Sequence, residues 1–275
     1  MDKIAIISDI HGNLEALQTV LKDIQARHIQ HIYCLGDVIA KGYHQQECVD
    51  LIRQFCEVVI QGNCEEYFTK DSDLEACSGL EKERIKWNQE RINAETKQYL
   101  RNLKRCHEFY LSGRLVRLFH AHPQYLDKAI GNLDTIDHLT ELFLPSSYTS
   151  QQLSDISIYG HIHLPFMQKM WNRIILNPGS VGNAIDIYRN EKLDGDICNT
   201  TVASYLILSG CLDSMNREDP ISFEFVNVKY DIEKELLFHD DHIEWEAYQK
   251  EMREGRYRDM EKILKKVRGD LKDGV

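Results

Sequence analysis

The chain contains no apolar run approaching the ~18 residues that a membrane-spanning helix needs. Its eight cysteines form no C-x-x-C pair and follow no regular spacing. Cations are in deficit too, with 33 Lys and Arg against 44 Asp and Glu for a net charge of -11. These absences argue, in turn, against a helical membrane protein, a disulfide framework, and stable nucleic-acid binding, which draws its affinity from clustered Lys and Arg on phosphates. The start MDKIAIISDIHG has no cationic stretch ahead of an apolar one, so the expectation is a cytoplasmic protein with reduced, mostly buried cysteines. No low-complexity linker interrupts it. What is present, 275 residues with 43% apolar and 28% charged content, suffices for one large core or a core with an appendage.

The first 63 residues repeat one unit: an apolar strand, a polar residue at its carboxyl end, then an amphipathic helix. Residues 3–8 run into Asp9, and Leu14, Leu17, Leu21 and Ile24 then recur at helical spacing. Residues 32–35 end at Gly36-Asp37, the stretch around Cys48, Leu51, Ile52 and Phe55 is again helical, and 58–60 lead into Gly62-Asn63. Strands alternating with helices imply parallel pairing, and ligands gather beyond the carboxyl ends of such strands.

Residues 65–104 break the pattern with two charged helices, around 81–87 and 95–100, expected to lie as an insertion over one face. Short runs follow at 115–119, 156–159, 174–176, 205–208 and 223–228, several with the period-two alternation of a half-buried sheet. Beyond Asp231, Tyr248, Met252, Tyr257, Met260, Ile263, Leu264 and Val267 fall near helical spacing on either side of Gly255. A helical pair packed on the core is expected for 232–275, appended to a main domain of 1–231, with a dimer contact as the alternative use.

Five short blocks carry the chemistry: Asp9-Ile10-His11, Gly36-Asp37, Gly62-Asn63-Cys64-Glu65, His120-Ala121-His122-Pro123 and Gly160-His161-Ile162-His163. They supply carboxylate or amide oxygens and imidazoles, a mixture that suits borderline divalent cations. Each block has a plainer reading. An Asp after a strand can cap the next helix, Asn63 can serve a left-handed turn, and a lone His is commonly a core residue.

Taken in order, the blocks resemble the D-x-H, G-D, G-N-[HC]-[DE], H-G and G-H-x-H motifs of the calcineurin-like metallophosphoesterases. The likeness runs from residue 3 to about 180 and is nearest the small bacterial and archaeal phosphodiesterase branch, where the third block also reads G-N-C. The resemblance implies an α/β fold, a four-layer α-β-β-α sandwich of two mixed sheets. It implies two divalent metal ions, with Mn or Fe foremost and Zn, Ni or Co compatible. By resemblance Asp37 bridges the ions, Asp9, His11 and His163 complete the first, and Asn63, His120 and His161 the second. Asp37, Asn63, His120 and His161 are thereby implied to be catalytic. The reaction implied is phosphodiester or nucleotide pyrophosphate hydrolysis on small substrates such as dinucleoside polyphosphates, by a monomer or homodimer. The alternatives are a phosphomonoesterase of protein-phosphatase type and an inert binding module of the same fold.

Two departures from the family pattern bear on chemistry. Cys64 stands where larger members carry a histidine able to protonate the leaving group, and a thiol with an ordinary pKa near 8.5 is a poor acid for that role. Leaving groups that depart readily as anions are therefore expected. His122 replaces a small polar residue, Pro123 fixing the register so that His120 takes the ligand position; His122 then either reaches the phosphate or is simply solvated, and His122 and His44 are the spare imidazoles placed to supply a proton near the substrate. Asn177-Pro178-Gly179-Ser180 resembles a turn of this branch that approaches the site. The polar segment 183–200 is read as an ordinary surface loop; the alternative is the edge of a substrate cleft, where Arg189 and Lys192 would meet distal phosphates.

Overall fold

The computed structural model describes residues 1–69, 79–132, 134–189, 195–199, 201–237 and 243–255, with the side chains of 67, 68, 81, 186–189 and 195–199 outside the description. Alternation along the first strand fixes the layers. In β1 (Asp2–Ile7), Ile4 and Ile6 point to one face and Ala5 and Ile7 to the other, and all four are fully buried. A strand apolar on both faces needs cover on both sides.

The chain continues with α1 (Leu14–Ala26), β2 (His31–Cys34), α2 (Gln45–Phe55), β3 (Val58–Val59), α3 (Asn63–Thr69), α4 (Gly79–Glu90) and α5 (Ala94–Arg101). Its second half holds β4 (Cys106–Leu111), β5 (Arg114–Phe119), α6 (Ile136–Glu141), β6 (Ile156–Tyr159), β7 (Phe166–Met170) and β8 (Arg173–Asn177). A two-stranded ribbon, β9 (Ile185–Arg189) with β10 (Gly195–Asn199), precedes β11 (Val202–Gly210), β12 (Ser222–Lys229), α7 (Ile232–Glu235) and α8 (Trp245–Glu254).

Two five-stranded mixed sheets result, ordered β12-β11-β1-β2-β3 and β4-β5-β6-β8-β7. Parallel pairing joins β1 to β2 and β2 to β3 in the first, and β5 to β6 and β6 to β8 in the second. Ile4, Ile6, Leu206 and Leu208 meet Val116, Leu118, Ile156, Ile158 and Leu176 between the sheets. Ala5 and Ile7 pack against Leu17, Val20 and Ile24 of α1 and Val49 and Ile52 of α2 on one outer face. Phe119, Tyr159 and Ile175 meet Leu139, Leu142 and Phe143 in and after α6 on the other. This is the α-β-β-α sandwich.

Helix α1 shows why these elements stop where they do. Its N-cap is Asn13, whose side chain accepts from the Ala16 N–H at 3.0 Å, and His44 stands at the N-cap of α2, so neither Asp9 nor Asp37 serves as a cap. At the other end His28 takes a left-handed φ of 56°, and the Ile29 and His28 N–H groups return to Ile24 and Gln25 carbonyls. That double bond satisfies the last open carbonyls.

Strands β4 and β7 escape the sequence reading, β4 because CHEFYL mixes charge into a half-buried edge and β7 because FMQKM is short. The segment 183–200 needs a correction: in place of a surface loop it contains the β9–β10 ribbon, in antiparallel register from Ile185 opposite Asn199. Near the carboxyl end, Tyr248 and Met252 are buried on α8 against Leu236, and Gly255 ends the helix at a φ of 65°. Tyr257, Met260, Ile263, Leu264 and Val267 lie outside the described residues.

The junction of α7, α8 and α1 carries a buried acid. Glu235 is 2% exposed, accepts from the Glu15 N–H at 3.2 Å and receives the Tyr248 hydroxyl at 3.2 Å. Burial raises its carboxyl to about 8, with Glu15 adding to the rise. The folded state therefore keeps a proton that the unfolded chain sheds near pH 4.5, so this contribution to stability is complete below about pH 4.5 and is lost as pH rises to about 8. Glu235→Gln keeps the neutral form at every pH. Thermal unfolding should show it gaining at least about 2 °C more over the parent protein at pH 8.5 than at pH 5; equal differences at both pH values would refute the assignment.

Candidate metal centre

Every chemical block sits just beyond the carboxyl end of a strand. Asp9 and His11 follow β1, Asp37 follows β2, Asn63 follows β3, His120 follows β5, and His161 and His163 follow β6. Strand pairing continues into these loops: the Asp9 N–H bonds to the Gly36 carbonyl at 3.0 Å, that of His11 to Asp37 at 3.0 Å, and that of Gly160 to His120 at 2.8 Å. Across the sheets, the His161 N–H donates to Asp9 Oδ2 at 3.0 Å.

Aiming so many side chains inward strains the backbone. Asp9, His11, Asp37, His161 and His163 all adopt left-handed φ between 51° and 67°, a region that costs a non-glycine residue roughly 1–2 kcal/mol. Asn63, for which the sequence suggested such a turn, instead opens α3. At Gly62 a side chain would overlap the Asp37 carboxylate, and at Gly160 it would overlap Ser8 Oγ and Asp9 Oδ2.

The result is three overlapping donor groups whose atoms lie within 4.8 Å of one another: Asp9 with His11 and His163, Asp37 with His120 and His161, and His11 with Asp37 and Cys64. Asn63 Oδ1 joins the second at 3.0 Å from both His120 Nε2 and His161 Nδ1. All seven proposed ligands are thus brought to one place, and Asp37 belongs to two of the groups.

Three imidazoles have their outward nitrogen tied to a backbone carbonyl: His11 Nδ1 to Ile39 at 3.2 Å, His120 Nδ1 to Leu35 at 2.8 Å, and His163 Nδ1 to Asn183 at 2.7 Å. A carbonyl accepts and never donates, so each Nδ1 carries the proton and each Nε2 in the neutral ring presents a lone pair to the centre. His11 Nε2 and His163 Nε2 face each other at 3.0 Å. Two lone pairs at that distance repel unless something positive lies with them, which is what a cation site requires.

Electrostatics agree. Burial works against ionising Asp9, but His163 and His120 hold its carboxyl down at about 2. Asp37 is likewise pulled well below the carboxylate range by His120 and His11 despite its burial. Burial disfavours a charged His120, yet Asp37 and Asp9 raise its imidazole to about 10. A field that holds a proton on a wholly buried imidazole would hold a divalent cation by the same attraction. Carboxylate, amide and imidazole donors fit two such ions.

Cys64 donates twice to Asp37, from its N–H to Oδ1 at 2.9 Å and from its thiol to Oδ2 at 3.2 Å. Burial, then Asp37 and Glu65, push that thiol well above its usual range. It is a thiol that orients a carboxylate. The spare histidines stay out of the donor groups: His122 pairs with Glu141 at 3.3 Å and packs on Tyr125, and His44 stands 3.5 Å from Glu47 with its ring against Tyr43. His122, for which the sequence left solvation open, is almost wholly covered. Arg189 lies on β9, its side chain outside the described residues.

The turn after β8 buttresses the site. Asn177 Nδ2 donates to the Gly160 carbonyl at 2.7 Å and Ser180 Oγ to the Asp9 carbonyl at 2.7 Å, so it holds the backbone of two ligand loops.

Two residues were given no role from the sequence. Glu65 is fully buried, and its carboxylate accepts from the N–H groups of Asp37 (2.8 Å), Gly62 (2.8 Å), Val38 (2.7 Å) and Ile39 (3.4 Å), clamping two ligand loops together. The available signal was its place in the third block, directly after Asn63-Cys64. Lys41, in a left-handed turn at φ 68°, is close enough that its charge, after burial, helps lower the His11 imidazole.

Residues 2–192 match the calcineurin-like phosphoesterase superfamily domain. The uncharacterised protein MJ0912 of Methanocaldococcus jannaschii is 30% identical over 246 residues, covering 84% of this chain and 89% of the relative. Among solved structures, a metallophosphoesterase from Sphaerobacter thermophilus superposes with a TM-score of 0.62 at 22% identity, over 90% of this chain and 99% of the other. The hypothetical protein PH1004 from Pyrococcus horikoshii OT3 gives 0.64 at 16% identity, over 92% and 98%. Both share the fold.

Replacing Glu65 by Gln turns an amide NH2 toward backbone donors and leaves buried N–H groups unsatisfied. Urea unfolding should show a loss of about 1–3 kcal/mol. Amide exchange at Asp37, Val38 and Gly62 should accelerate more than in α1, and unchanged exchange there would rule out the clamp.

Proposed function

The chain belongs to the calcineurin-like phosphoesterase superfamily, and on that footing we propose that it is a dinuclear metal-dependent phosphodiesterase acting on small phosphorylated compounds, nucleoside polyphosphates among them. The observation that carries this reading is the set of three imidazoles whose tautomers are fixed by backbone carbonyls around a carboxylate common to two donor groups. An inert module of this fold would have no use for five strained ligand residues.

Asp9, His11 and His163 would hold one ion and Asn63, His120 and His161 the other, with Asp37 shared; the thiolate-free donor set suits Mn or Fe first. When bound, two divalent cations neutralise charge on phosphoryl oxygens and make a water nucleophilic near neutral pH. Lys41 adds a cation for a phosphoryl oxygen at the rim. Burial and then His120 lower the His161 imidazole to about 4, so it serves as a neutral ligand and not as an acid at pH 7. Cys64 keeps its proton for Asp37, and His44 and His122 lie 3.5 Å from Glu47 and 3.3 Å from Glu141. With no donor identified at the leaving group among the described residues, departure as an anion is favoured, which selects aryl diesters and phosphoanhydrides over alkyl monoesters. We take 1–231 as the catalytic unit, with 65–104 inserted and 232–275 appended.

Asp37→Ala and His161→Ala should each lose bound metal and at least about 100-fold of activity on bis(4-nitrophenyl) phosphate while remaining folded. Elemental analysis beside kinetics is the check, and full metal occupancy in Asp37→Ala would defeat the shared-ligand role. Cys64→Ser should keep a substantial fraction of activity; complete loss with metal retained would make the thiol a participant. Across substrates, aryl diesters should outpace alkyl phosphomonoesters, and the reverse order would overturn the leaving-group argument.

A further inference from the structure

A concave region of about 510 Å³ is lined by Gln61, Glu66, Arg101, Lys104, Arg105 and Tyr148 among others. Its place in the fold follows from strand pairing. Ile60 bridges to Lys104 in parallel, and the Gln61 N–H donates to the Lys104 carbonyl at 2.8 Å, so the segment after α5 extends the first sheet beyond β3. Gln61 directly precedes Gly62-Asn63. On the far wall, Cys106 pairs with Phe119, the residue before His120. The cavity therefore opens on the same rim as the proposed ligands and starts two residues from Asn63.

Its chemistry differs from that of the molecule around it. Among its described lining residues three cations accompany one carboxylate, in a chain whose net charge is -11. Glu66 is engaged with Arg105 at 2.9 Å, and Arg101 is anchored by the Thr69 carbonyl, so each guanidinium group has a fixed anchor. The Arg105 guanidinium lies 5.0 Å from the Tyr148 ring, which is 45% exposed and offers a flat face beside it. Among the described residues the Lys104 ammonium has no ion pair of its own. A volume in the range of roughly 300–1,000 Å³ suits a small ligand, and guanidinium groups with an ammonium suit phosphate oxygens.

We propose that this cavity is the subsite for the distal phosphate-bearing part of the substrate, whose reacting phosphoryl group lies at the donor cluster; the assignment rests on the phosphodiesterase reading above. It makes the preferred substrate one with further phosphates along the chain, and it gives Arg101, Lys104 and Arg105 the task that sequence alone suggested for residues 189 and 192.

The test uses the metal-loaded protein and two substrates, diadenosine tetraphosphate, which has distal phosphates, and bis(4-nitrophenyl) phosphate, which has none. Lys104→Ala, an exposed change of small structural cost, should raise the KM for the first at least about tenfold more than for the second, with kcat little altered and Lys104→Arg largely restoring it. Equal effects on both substrates, or none on either, overturn the subsite. If the parent protein hydrolyses neither compound, the functional reading has failed, and calorimetry with ADP decides the cavity by itself. Tighter binding to the parent than to Lys104→Ala then supports it, and equal binding overturns it.

Discussion

Three backbone carbonyls, those of Leu35, Ile39 and Asn183, decide what the cluster can be. A histidine free to choose its tautomer can turn an N–H inward and repel a cation. Here each ring is committed by a bond to main chain, and main chain is held by the sheets. The metal-binding character of the site is therefore built at the level of backbone geometry, one step removed from the ligands themselves.

Around that commitment the rim is arranged as an interlocked set. Strand hydrogen bonds run past the strand ends, so that the loops carrying Asp9, His11 and Asp37 pair with one another, as do those carrying His120 and His161. Glu65 ties the Asp37 loop to Gly62 from below, and Asn177 and Ser180 hold Gly160 and Asp9 from the side. The strain of five left-handed residues persists because their surroundings over-determine them.

Much of this was legible in the sequence. The β1-to-α2 unit reads directly from apolar periodicity, and both-face burial of IAII follows from its lack of alternation. The five blocks pointed to the proposed ligands only through their joint order, since Asp, Asn and His at a strand end each have an ordinary use when taken singly. What stayed hidden was non-local. The partners of Glu65 include three residues 26 to 28 positions away, and the cavity joins residues that are close only after Lys104 has paired with Ile60. The β9–β10 ribbon was missed for the opposite reason: its charged, mixed sequence gave no period, and its pairing is with itself.

Gly160 lies directly against Ser8 and Asp9, with no room for even a methyl group between the two sheets at that point. The spacing of the two halves of the cluster is accordingly gauged by bare polypeptide, the one thickness in a protein that no repacking of side chains can alter. Substitutions throughout the interior of the sandwich can drift, swapping Ile for Leu or Val for Ile, while the distance from His161 to Asp9 stays where it was. Such a gauge would let lineages retune their stability and the approach to the rim without renegotiating the chemistry at its centre.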